Sequence, residues 1–78
     1  SMASEDARAL YVQAGHAAKA EGDYPTSVEA YKRALDLSSE DFEKAQMCEA
    51  IASSYKMFDI PQAIPPLTRA VELHMSQG

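Results

Sequence analysis

The 78-residue chain is predicted to be all-α, two antiparallel helical hairpins stacked side by side. Three observations predict this. The segment Asp23-Tyr24-Pro25-Thr26-Ser27-Val28 returns 36 residues later as Asp59-Ile60-Pro61-Gln62-Ala63-Ile64, and Arg33-Ala34-Leu35-Asp36-Leu37 returns at the same offset as Arg69-Ala70-Val71-Glu72-Leu73. A period between about 20 and 50 residues marks stacked supersecondary units, each of which buries its apolar face only against its neighbours. Apolar residues recur at spacings of three and four throughout, and the turn signals fall between those runs.

Ser4 is placed to cap a first helix, A1, that carries Leu10, Tyr11, Ala14 and Ala18 and ends near Glu21-Gly22, where glycine permits a left-handed turn. Asp23 reads as the N-cap of B1, with Pro25 in the first turn, where its missing N–H costs nothing, and Val28, Tyr31, Ala34 and Leu35 as the apolar stripe. Ser38-Ser39-Glu40-Asp41 holds a serine three residues before an acid, the capping-box spacing, so A2 is expected from about Glu40 to Met57. Asp59 and Pro61 reopen the pattern for B2, with Ile64, Leu67, Ala70 and Val71, to about Met75. Pro65 and Pro66 lie where B2 should continue, so regular helix is expected to resume only near Pro65. Short connections make successive helices antiparallel, and Ala14, Gly15, Ala18, Ala34 and Ala50 let their axes approach.

Composition bounds the function. Twelve acidic against seven basic residues, a net charge of −5, argue against a nucleic-acid backbone as ligand, which needs clustered Lys and Arg. The single cysteine, Cys48, excludes an internal disulfide and a multi-cysteine zinc site and fits a reducing compartment, with the cytoplasm expected and the nucleus the alternative. No apolar run approaches the about 20 residues that span a bilayer. Residues 1–3 read as a processing scar with a disordered start, and residues 4–78 as one domain, with a first repeat over about 8–39 and a second over about 40–76.

In the first repeat Tyr11, Ala14, Gly15, Ala18, Gly22, Tyr24, Ser27, Tyr31 and Ala34 fall on the signature positions of the tetratricopeptide repeat (TPR) family, which the chain resembles. Tyr11 stands in place of the usual Trp, Ser27 of Ala and Ser39 of the terminal Pro. Met47, Ala50, Tyr55, Ala63, Leu67 and Ala70 match in the second repeat, where Ile51 occupies the glycine position. The resemblance implies a right-handed superhelix fragment whose A helices form a peptide-binding wall, here lined by Ala9, Val12, His16, Lys19 and Ala20 from A1 and Cys48, Ala52, Tyr55 and Lys56 from A2. The expected function is that of an adaptor that binds a protein or peptide, an acidic or neutral amphipathic segment, with no cofactor and no metal. The subfamily that clamps the C-terminal carboxylates of chaperones has Lys and Asn where this chain has Val12, His16 and Ala52, which argues against that function.

Residues 52–78 are similar to repeats of the soluble attachment proteins of vesicle fusion, and the first two helices resemble the microtubule interacting and trafficking (MIT) domain, although a fourth helix after Pro61 argues against the latter. A structural role is the rival reading: Ile64, Leu67, Val71 and Met75 make one stripe that a two-fold dimer, or exchange of a hairpin, would cover. An enzyme is not expected. His16 and Cys48 are the one pair with chemical potential, but no third residue orients the imidazole, and the run Glu40, Asp41, Glu43 lacks the glycine of a calcium loop and suits a helix start.

Overall fold

The computed structural model describes residues 2–77. Four helices follow in order: α1, Met2–Ala20; α2, Tyr24–Asp36; α3, Asp41–Tyr55; and α4, Ile64–Gln77, the last preceded by a 3-10 turn at Ile60–Ala63. Among the described residues there is no strand, and the fold is all-α. α1 begins at Met2 rather than at a Ser4 cap, so Met2 and Ala3 are helical, while Ser1 and Gly78 lie outside the described residues.

The first hairpin closes through Gly22, whose φ of 81° is the left-handed conformation glycine adopts without strain. Asp23 then donates its backbone N–H to the Ala18 carbonyl at 2.9 Å, and its carboxylate accepts the Thr26 N–H at 3.2 Å, capping α2 with Pro25 in its first turn. α1 and α2 press together where Gly15 has no side chain: a Cβ there would stand 3.0 Å or less from three ring carbons of Tyr31. The Tyr31 hydroxyl, past that glycine, shares a 2.7 Å hydrogen bond with His16 Nδ1.

The start of α3 corrects the capping expectation. Ser38 turns back and donates its hydroxyl to the Ala34 carbonyl at 2.8 Å, and Glu40 is the N-cap. Glu43, three residues on, reaches back to accept the backbone N–H groups of Glu40 and Ser39, both at 3.3 Å. α3 ends at Tyr55, two residues short of the expected Met57, because the N–H groups of Phe58 and Asp59 both bond to the Tyr55 carbonyl and close the chain into a turn.

The prolines act as the sequence predicts. Pro61 sits in the 3-10 turn, and regular helix resumes at Ile64, so Pro65 and Pro66 fall in the first turn of α4, where helical N–H groups have no intrahelical acceptor anyway.

α1 and α3 lie parallel, joined near one end by Arg8–Glu43 at 3.1 Å and near the other by Lys19 donating to Ser53 Oγ at 2.7 Å. α3 crosses α2 through the Ser27–Ser54 hydroxyl pair at 2.7 Å, and meets α4 antiparallel through Glu49–His74 at 2.6 Å and Ser76 donating to Asp41 at 3.2 Å. The core lies between α2, α3 and the 3-10 turn, with Val28, Tyr31 and Ala34 of α2, Met47, Ile51, Ala52 and Tyr55 of α3, and Ala63, and Tyr11 and Val12 of α1 pack against it. α3 is thus the central helix, and the Cα envelope of 31 × 28 × 14 Å is only two helices thick.

Candidate functional site

The A-helix wall forms differently from its predicted membership. From α1, Ala9, His16 and Ala20 are exposed and Val12 and Lys19 half-buried; from the end of α3, Lys56 is exposed. Cys48, Ala52 and Tyr55 are not on the wall. They are 1%, 0% and 8% exposed and face the core and α4.

The reason is one residue of register. Tyr11, Gly15 and Ala18 turn toward α2 in the first hairpin, and Cys48, Ala52 and Tyr55 turn toward α4 in the second, an offset of 37 instead of the 36 that relates the B helices. A slip of one residue turns a helix by about 100°. The α3 residues that correspond to the α1 wall at this offset are Gln46, Glu49, Ser53 and Lys56, all exposed or half-buried, of which Ser53 meets Lys19 of α1 and Glu49 is paired with His74 of α4.

His16 and Cys48 are not a dyad. His16 is engaged by Tyr31, its ring edge-on at 5.4 Å between centroids, whereas Cys48 lies on the far side of α3 beside Arg69. Burial pushes the Cys48 thiol up from its ordinary value, against the opposing pull of the nearby positive charge of Arg69. It is a thiol at neutral pH, not a nucleophilic thiolate. Among the described residues, no group of three His, Cys, Asp or Glu side chains is placed to hold a metal ion, and no helix is long and apolar enough to cross a membrane.

What sequence reasoning missed is a cleft of about 330 Å3 where α2, α3 and α4 meet. Leu35 of α2, Ile51 of α3 and the rings of Pro65 and Pro66 form its apolar walls, and Cys48 and Tyr55 lie against it. Two cations stand at this cleft, Lys32 and Arg69, and no carboxylate is among its lining. Lys32 Nζ is 5.5 Å from the centroid of the Tyr55 ring. Its pKa is raised, chiefly by the adjacent Tyr55 hydroxyl, whose effect outweighs partial burial, so it stays charged. Gln62, also on the rim, is held by a hydrogen bond to Asp59. The repeated Arg33/Arg69 pair was the available signal, but nothing in a linear sequence brings Lys32, Arg69 and Cys48 together.

The buried thiol and phenol give the fold an alkaline limit. Burial raises Tyr31 as it raises Cys48, so in both cases the folded state holds its proton to higher pH than the unfolded chain does. Their contribution is complete below the unfolded values of about 8.5 and about 10 and is lost as pH rises through the higher folded ones. Urea melts between pH 7 and 11 should show stability falling from about pH 8.5 upward. Cys48→Ala should remove the first part of that fall and Tyr31→Phe the second; an unchanged profile in both variants would contradict the assignment.

Comparison with protein-family models, with characterised proteins and with solved structures finds no match.

Proposed function

We propose that this chain is a protein-binding helical-repeat module of the TPR-like kind, an adaptor without catalytic chemistry, that captures an acidic, partly apolar segment of a partner protein. The observation that carries the reading is the cleft between α2, α3 and α4: apolar walls of Leu35, Ile51, Pro65 and Pro66 with Lys32 and Arg69 at its edge and no lining carboxylate. A concave apolar site with few placed polar groups is what ligands bury themselves in, and a pair of like charges selects the sign of the partner. A cytoplasmic or nuclear setting fits the free, buried thiol.

The A-helix wall is the second reading, favoured by exposed Lys56 and by Lys19, whose ammonium bonds a hydroxyl and not a carboxylate. Peptides selected from a random display library against the chain distinguish the two. Enriched sequences should combine Asp or Glu with apolar residues, and Lys32→Glu with Arg69→Glu should weaken their binding by about tenfold or more, most at low salt. Lys19→Glu with Lys56→Glu should leave it unchanged. The opposite pattern would move the site to the wall, and enrichment of basic peptides would overturn both readings.

A further inference from the structure

The internal repeat, laid on the structure, shows one interface made and the same interface left open twice. On the B side the offset is 36, so Val28, Tyr31 and Leu35 of α2 correspond to Ile64, Leu67 and Val71 of α4. With α3 packed beside them, Val28 and Tyr31 are 2% and 1% exposed and Leu35 is half-buried, whereas their counterparts are 62%, 37% and 56% exposed. On the A side the offset is 37. α3 meets α2 through Met47, Ile51 and Ser54, all buried, and the counterparts Leu10, Ala14 and Ala17 stand exposed on α1, Leu10 at 67%. Both halves of the α2–α3 joint thus recur, unpaired, at the two ends of the stack.

A second observation points the same way. A notch of about 300 Å3 lies on the outer edge of the first hairpin, and each residue that lines it has a counterpart in the cleft: Tyr11 with Cys48, Ala14 with Ile51, Arg33 with Arg69 among them. The notch is the cleft without the wall that α2 contributes through Lys32 and Leu35. At an offset of 36, α4 carries Thr68 and Val71 in those places, both exposed.

We propose that copies of this chain associate head to tail, the Ile64/Leu67/Val71 face of α4 in one copy seated on the Leu10/Ala14/Ala17 face of α1 in the next. The contact repeats the α2–α3 joint between molecules and completes the notch with Thr68 and Val71 of the neighbouring copy. Because the two faces differ, the contact is heterologous, and each added copy presents a fresh end. A two-fold pairing of α4 with α4 would leave the α1 face and the notch open.

Sedimentation equilibrium on the wild-type chain and on Leu10→Asp and Val71→Asp decides between them, with circular dichroism to verify folding and Ala17→Arg as a second head-face variant. Both substituted positions are exposed, so the fold should be kept. The wild type should show an average mass that climbs past two copies as concentration rises toward about 1 mM, the range where small interfaces act. Each variant alone should be monomeric, and an equimolar mixture of the two should stop at a dimer, since each then offers one intact face. A wild-type chain that stays monomeric overturns the proposal. So does a dimer that Val71→Asp abolishes and the head-face variants leave untouched, which is the two-fold contact.

Discussion

Tyr31→Ala should remove a large share of the fold's stability. The side chain is 1% exposed, and its ring fills the space over Gly15, where α1 approaches α2 most closely. Deleting a buried aromatic costs about 3–5 kcal/mol, while a domain of this length holds about 4–12 kcal/mol in total. Two companions separate the sources of that loss. Tyr31→Phe removes only the hydrogen bond to His16 and should cost about 1 kcal/mol. Gly15→Ala keeps the ring but drives a methyl into it; helix propensity returns about 1 kcal/mol, and overpacking takes about 1–3, so the net change is destabilising. Urea denaturation followed by circular dichroism measures all three, and a Tyr31→Ala chain that melts like wild type would show that the α1–α2 contact is not a keystone of the fold.

The second large effect is expected at the joint between hairpins. Ser27 and Ser54 are both fully buried, and Ser27 Oγ lies 2.8 Å from the Tyr24 carbonyl and 2.7 Å from Ser54 Oγ. A carbonyl can only accept, so the Ser27 proton goes to Tyr24 and the Ser54 hydroxyl donates to Ser27. Ser27→Ala therefore orphans a donor in the core, at about 1–3 kcal/mol. Adding Ser54→Ala removes that donor, and the double variant should be more stable than the sum of the singles predicts by at least about 1 kcal/mol. Additive losses would mean that a water or another acceptor already satisfies Ser54.

Local chemistry was the legible part of this chain. Asp23 beside Pro25 and Asp59 beside Pro61 mark the starts of the B-side elements because caps and prolines act within one turn, and the restart of helix at Ile64 follows from the donors Pro65 and Pro66 lack. Competing local partners blurred the cap of α3. Ser38 had the right spacing, but its hydroxyl reached the nearer Ala34 carbonyl, and Glu40 took the capping position with Glu43 bonded back to its N–H. The wall was half legible. Its α1 residues depend on one helix alone, whereas its α3 residues depend on the rotation of a helix covered from three sides, and a slip of one residue moved Cys48, Ala52 and Tyr55 off it. The cleft was illegible, because its lining comes from three helices and its charges are brought together only by packing.

The prolines of α4 bear on how tightly anything can be held. Pro65 and Pro66 form one wall of the cleft and have fixed φ and almost no rotamer freedom, so that wall has little conformational entropy left to lose when a ligand settles on it. Immobilising a long side chain costs about 0.5–1.5 kcal/mol on association. Lys32, already held against Tyr55, has borne part of that cost on folding, and Gln62 is restrained by Asp59. On the proposed function, the cleft is largely ordered before a ligand arrives, and the entropic penalty of binding would fall mainly on the partner segment.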